Sequence, residues 1–118
     1  MKKVILGLLL TASLISCNNE SAKREQIAND NIKFYAHVWD VAIVEGRVNI
    51  LDTAYSPDVV LHTVPEVKGA ANAKAYYENY VTGFSEREFI IKDIFASGNK
   101  LTKYWQFKGV HSGNFFGI

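Results

Sequence analysis

Glu86-Arg87-Glu88-Phe89-Ile90-Ile91-Lys92-Asp93-Ile94-Phe95-Ala96, then Ser97-Gly98-Asn99-Lys100, then Leu101-Thr102-Lys103-Tyr104-Trp105-Gln106-Phe107-Lys108-Gly109-Val110-His111 reads as two strands joined by a tight turn. Both runs are rich in β-branched and aromatic residues, and the residues between them are of the types that hairpin turns prefer. Alternate side chains of a strand point to opposite faces. Leu101, Lys103, Trp105, Phe107 and His111 therefore share one side of the second strand, and Thr102, Tyr104, Gln106, Lys108 and Val110 the other. A single bulge would exchange the later members of each set. Trp105 and Phe107 make the first set the better candidate for an enclosed, concave face, and His111 goes with them.

Upstream of the hairpin the apolar residues change to a helical period. Gly69 opens a helix whose buried side is marked by Ala73, Tyr76, Tyr77, Tyr80 and Val81, with Gly83 near its end. Asp58 to Val64 precedes it as a strand, and Val48, Leu51 and Tyr55 give a short helix stopped by Ser56-Pro57. Before Gly46, a long helix from Ala22 to about Val44 carries Ile27, Phe34, Val38 and Val41, with Tyr35 and Trp39 widening the stripe. Helices first and strands later predict an α+β domain: a cone-shaped, curved, mostly antiparallel sheet covered by three N-terminal helices, its mouth able to hold a ligand. Internal repeats and low-complexity segments are absent from the sequence.

The N-terminus reads differently. Met1-Lys2-Lys3, then apolar Val4 to Leu10, then smaller residues up to Leu14-Ile15-Ser16-Cys17, follow the order of a secretory signal. A small residue followed by cysteine resembles the lipobox of bacterial lipoproteins. That resemblance implies that residues 1–17 are a lipoprotein signal, that Cys17 is lipidated on sulfur, and that residues 18–118 form the domain, tethered through Asn18-Asn19-Glu20-Ser21. The unbroken apolar stretch is shorter than the ~20 residues a membrane span needs. Several acyl chains on one residue suffice for stable anchoring, so the expected location is the bacterial cell envelope, on a membrane and facing the periplasm or the exterior.

Removing the signal takes Lys2 and Lys3 and no acidic residue, so 11 basic residues of the original 13 stand against 12 acidic ones, a balance of −1. Such a surface is not that of an electrostatic nucleic-acid binder. With the only cysteine, Cys17, lipidated, neither a disulfide nor a cysteine nucleophile is available. His37, His62 and His111 lack the close spacing of recognised metal motifs, so no metal site is expected.

Three segments in order carry a family resemblance: Phe34-Tyr35-Ala36-His37-Val38-Trp39-Asp40, Ala54-Tyr55-Ser56-Pro57-Asp58-Val59-Val60-Leu61-His62, and Gly109-Val110-His111-Ser112-Gly113-Asn114-Phe115-Phe116-Gly117-Ile118. Together they resemble the SnoaL-like polyketide cyclase and ester cyclase family, one of the nuclear-transport-factor-2-like cone folds. The resemblance runs from Ile27 to Ile118, and its most specific piece is the last, which matches G-T-H-x-G-x-F-x-G-I with Val110 in place of threonine. It implies a pocket for a small hydrophobic, oxygenated molecule. In the best-understood members a carboxylate and a nearby histidine move protons during an aldol-type ring closure, with no metal or cofactor. Aromatic walls both bind such a substrate and raise a carboxylate's pKa by desolvation.

On that resemblance His111 is the candidate catalytic residue, and Tyr35, Trp39, Asp40, His62, Trp105 and Phe107 are the candidate ligand-binding residues. Asp40 stands where the family usually has asparagine. For Trp39 and Trp105 the simplest reading is core packing, with pocket lining next. The family's catalytic aspartate is expected on the strand after the G-I-P-P-T-G turn, and Ile118 lies within that turn. The presumed base and the last strands of the cone are thus expected beyond residue 118, with an unpaired sheet edge left exposed. Two functions follow as expectations: a lipid-anchored, ligand-binding domain with cofactor-independent cyclase chemistry, or a non-catalytic binding module or inactive truncated fragment. A sheet face or edge also offers a route to a homodimer.

Overall fold

The computed structural model describes the backbone from Ile5 to Ile118 and the side chains from Cys17 onward; Met1–Val4, which open the expected signal, lie outside the described residues. Helix α1 (Ile5–Trp39) continues into a π-helical turn, Asp40–Val44. No glycine or proline occurs between Leu8 and Glu45, so nothing in the sequence interrupts the helix, and the segment expected to be a tether at 18–21 is helical. Among the described side chains of α1, only those in its last turn are buried. Val38 and Trp39 are buried, whereas Ile27 and Phe34 are 45% and 52% exposed, so the apolar stripe reaches farther along the helix than the core does. Among the described residues no helix is long and apolar enough to cross a membrane.

The π turn has a packing consequence. Its wider ring, closed by the Glu45 amide donating to the Asp40 carbonyl at 3.1 Å, turns the consecutive residues Val41, Ala42 and Ile43 all inward. Gly46, at φ +76°, ends it in a conformation that glycine adopts without a Cβ penalty. A 3₁₀ turn at Val48–Ile50 and the single-turn helix α2 (Leu51–Ala54) follow, placing Val48 and Leu51 in the core as their spacing predicts.

The strand expected over Asp58–Val64 is shorter than its apolar pattern suggests. Only β1 (Val60–Leu61) pairs, antiparallel to β2 (Val67–Lys68), and the chain turns between them around Val64 and Pro65. Gly69, at φ +86°, then leads into α3 (Ala70–Gly83), whose Ala73 is fully buried. The hairpin forms as read: β3 (Phe84–Ser97) pairs antiparallel with β4 (Lys100–His111), and Gly98, at φ +58°, takes the first turn position, where a left-handed residue suits strand twist.

The domain is therefore α+β, with helices followed by antiparallel strands in two two-stranded sheets. Strand β4 keeps one parity throughout, because both register shifts fall on β3, between Ser85 and Glu88 and between Ile91 and Asp93. The second shift exchanges the faces of β3. It sets Phe89, Ile91, Ile94 and Ala96 opposite Phe107, Trp105, Lys103 and Leu101, so over these pairs one face is apolar except at Lys103. Val38, Trp39, Ala42, Ile43 and Leu51 form the buried centre, against which Tyr77, Tyr80, Phe89 and Phe107 pack.

Candidate functional site

Four elements bring aromatic side chains to one place. Trp39 ends α1 and is 5% exposed; its ring meets Tyr77 of α3 edge-on at 4.6 Å and stacks on Phe89 of β3 at 5.6 Å. Phe89 in turn stacks on Trp105 of β4 at 5.1 Å, and Tyr80 meets Phe107 edge-on at 5.3 Å. These rings and Ile43 line a narrow cleft with about 10 Å³ of free space, partly open to solvent, in which no lining atom exposed to the space is polar. A second apolar hollow, ≈110 Å³ and lined by Phe34, Tyr35, Val38, Trp39, Leu51, Ala54 and Tyr55, shares Trp39 as a wall. Burial pushes the Tyr80 hydroxyl up to about 12 and raises those of Tyr35, Tyr55 and Tyr77 as well, so all four are neutral donors at physiological pH.

Lys103 projects from β4 toward these rings. Its Nζ lies 4.6 Å from the centroids of Tyr35, Trp39 and Phe89 and 4.9 Å from that of Trp105. The rings act on the amine in two directions: their faces attract an ammonium, and their bulk strips it of water, which disfavours the charge. Desolvation by burial pulls the amine from 10.5 down to about 8. Among the described residues no carboxylate forms an ion pair with it.

The structure brings together four of the residues singled out in the sequence. Trp39, Trp105 and Phe107 line the cleft, and Tyr35 lines the adjoining hollow and reaches the Lys103 amine. The other three lie elsewhere. Asp40 is exposed on the π turn, and His62 is exposed beyond β1, its Nδ1 2.9 Å from Glu66 Oε2. His111 was grouped with Trp105 and Phe107 by strand parity, and it does share their face, but it sits four residues beyond Phe107 at the exposed end of β4. There it borders a shallow groove with Ser112, Gly113, Asn114 and Ile118. One ring separates it from the cleft: Phe84 lies 5.4 Å from His111 and 5.2 Å from Phe107.

Several cleft residues were not singled out as site residues in the sequence. Tyr77 and Tyr80 read there as helix core, Ile43 fell within a helical run, and Phe89 was one apolar residue of a strand. Lys103 carried a legible signal, since it shares parity with Trp105 and Phe107. No three His, Cys, Asp or Glu side chains gather among the described residues, and Cys17 is exposed on α1.

The C-terminal segment completes the aromatic wall. The Ser112 and Gly113 amides donate to the Gly83 carbonyl at 2.9 and 3.1 Å, strapping the chain across the end of α3. Phe115 then meets Tyr80 at 5.2 Å and Phe84 at 5.0 Å, and Phe116 meets Tyr76 at 5.0 Å. A Cβ on Gly113 would strike the Thr82 carbonyl, and one on Gly83 would lie 2.7 Å from Phe115 Cβ, so both glycines are required by the crossing. In comparisons with known proteins, a sequence model described as SnoaL-like polyketide cyclase matches residues 29–118. No curated protein and no solved structure matches the chain.

Proposed function

We propose, from the premise that this chain belongs to the SnoaL-like polyketide cyclase family, that the aromatic cleft between α1, α3 and the β3–β4 hairpin binds a small hydrophobic molecule bearing oxygen at its rim. The observation that carries this reading is the cleft's lining, which is aromatic and aliphatic throughout. Its free volume, ≈10 Å³, is far below the ~300–1,000 Å³ usual for drug-sized ligands, so binding requires the cleft to open on the side of the exposed Trp105 ring. Cofactor-independent ring closure by proton transfer is the chemistry that family membership suggests for such a ligand. His111, one ring removed, is the sequence-derived proton-transfer candidate. The reading includes a lipid anchor at Cys17 that holds the domain on a bacterial envelope membrane, supported by the order of the N-terminal sequence and by the exposure of Cys17.

Trp39 and Trp105 are the only tryptophans and both line the cleft, so intrinsic fluorescence reports its occupancy directly. Titration with 1-tetralone, a bicyclic aromatic ketone, is expected to quench that fluorescence saturably, and Phe107→Ala to weaken the binding. Quenching that rises linearly and is indifferent to Phe107→Ala would exclude the cleft as the binding site.

A further inference from the structure

The hollow beyond Trp39 holds ≈110 Å³ of free space where the cleft holds ≈10 Å³, and its walls come only from α1, from α2 and from Tyr55, which caps α2. Four of its seven walls are aromatic, Phe34, Tyr35, Trp39 and Tyr55, and none is charged. The floor is fixed, since Val38, Trp39 and Leu51 are all buried. The α2 side is held from behind, where the Lys74 amine on α3 donates to Asp52 at 2.9 Å and to Asn49 at 3.5 Å. Tyr35 and Trp39 meet at 52°, so they present two differently inclined rings to the space. Phe34, half in water, forms its solvent side, and Ala54 is the smallest of its walls.

We infer that this hollow is a second binding site, which takes one uncharged aromatic ring bearing at most a small substituent. Size sets the limits. Its ≈110 Å³ is several times the ~10–15 Å³ that a water needs and near the ~150 Å³ of an apolar cavity that binds benzene, yet well below the ~300 Å³ at which drug-sized pockets begin. The lining sets the chemistry. The polar side-chain groups among the walls are two tyrosine hydroxyls and the Trp39 N–H, so water inside finds few partners and an apolar guest gains by displacing it. Aromatic walls suit an aromatic guest, because rings gain from edge-on and offset contacts that an aliphatic chain does not make. An ion would lose its hydration there and meet no counter-charge. Only Trp39 is common to the hollow and the cleft, so this site does not depend on the cleft's being occupied.

The test is fluorine NMR of fluorobenzene titrated with the whole chain. Its line is expected to broaden saturably and to sharpen again when toluene is added, while that of fluorobenzoate stays sharp. Ala54→Leu fills the hollow and is expected to weaken fluorobenzene binding at least about tenfold, and Phe34→Ala, which removes a ring already half in water, at least about threefold, on the scale of a lost aromatic contact. Phe107→Ala, a change in the cleft, is expected to leave it within about twofold, as distant sites act independently. Broadening without saturation would overturn the inference, as would equal binding of fluorobenzoate or displacement of fluorobenzene by 1-tetralone. Unchanged affinity in Phe34→Ala with the parent's melting curve would overturn it too, and that variant decides the matter even where Ala54→Leu fails to fold. Fluorobenzene bound as expected beside 1-tetralone that quenches nothing would remove the cleft reading and leave the hollow's intact.

Discussion

The Arg87 guanidinium donates through Nε to the Ile43 carbonyl at 2.6 Å, tying the start of β3 to the π turn 44 residues earlier in the chain. The same group reaches the carbonyls of Phe84 at 2.6 Å, Val81 at 3.2 Å and Val44 at 3.4 Å. One side chain therefore satisfies chain ends from three elements, and Ile43 is a wall of the cleft. Arg87→Ala leaves these half-buried carbonyls without their charged donor, at a cost of about 2–4 kcal/mol on the scale of hydrogen bonds to charged groups. Arg87→Lys keeps the charge and loses the fork, so it should recover only part of the loss. Urea unfolding of the two variants measures both, and equal stability of Arg87→Ala and the parent would refute the clamp.

Gly113 illustrates a motif residue whose reason is steric. Its position against the Thr82 carbonyl leaves no room for a methyl group, and the obstacle is backbone rather than a side chain that can swing away. Gly113→Ala is expected to cost about 1–3 kcal/mol, in the range of overpacked interiors. It should also release Phe115 and Phe116 from α3. Ser112→Ala, whose backbone bond to Gly83 survives the change, is the matched control and should melt as the parent does.

The stability of the domain should pass through a maximum near pH 10, for opposing reasons. Lys103 is depressed from 10.5 to about 8, so between those values the unfolded chain carries a proton that the folded one has shed, and stability rises with pH. Tyr80 is raised from 10.0 to about 12, with Tyr35 and Tyr55 raised further, so above pH 10 the unfolded chain loses phenolic protons that the fold retains, and stability falls. Lys103→Met should abolish the rise and keep the fall. Denaturant midpoints taken from pH 7 to 11 for both proteins give the comparison, and superimposable profiles between pH 8 and 10.5 would count against the lysine's part in it.

Much of the fold was legible because its signals are local. The hairpin was set by two β-rich runs around Ser97-Gly98-Asn99-Lys100, and helix α3 by Gly69 and its tyrosine spacing. The π turn was not legible, since Val41-Ala42-Ile43 fits a helical pattern nearly as well and the register slip is decided by packing. The bulges on β3 were likewise invisible: Glu86 at φ +50° and the extra residue at Lys92 have no turn chemistry of their own. For the site, parity found Trp105, Phe107 and the side of Lys103, because alternation is local. It placed His111 on the right face but said nothing of how far the helices extend over that face, which α1 and α3 determine from elsewhere in the chain. The placement of His62 depended on where β1 stops, and that is fixed by the turn at Pro65.

Trp39 and Trp105 line the same cleft, yet they should separate stability from binding. Trp39 is 5% exposed and joins the buried centre, whereas Trp105 is 41% exposed and touches the protein chiefly through Phe89 and Lys103. Trp39→Ala is expected to cost about 3–5 kcal/mol, as large aromatic truncations in cores do. Trp105→Ala vacates a wall already half in water, so its effect on stability should be about 1 kcal/mol, near the centre of the range for single substitutions. Its effect on 1-tetralone affinity should be larger, about tenfold, because the ligand would lose a stacking surface worth roughly 0.5–1.5 kcal/mol beyond its buried area. His111→Ala, on the far side of Phe84, should leave that affinity within about twofold whatever it does to turnover, since surface changes away from a contact seldom exceed ~0.5 kcal/mol. Calorimetric titration of the folded variants, read beside their melting curves, tests the ordering. A Trp105→Ala protein that binds as the parent does while a His111→Ala protein does not would move the binding site from the cleft to the groove at the end of β4.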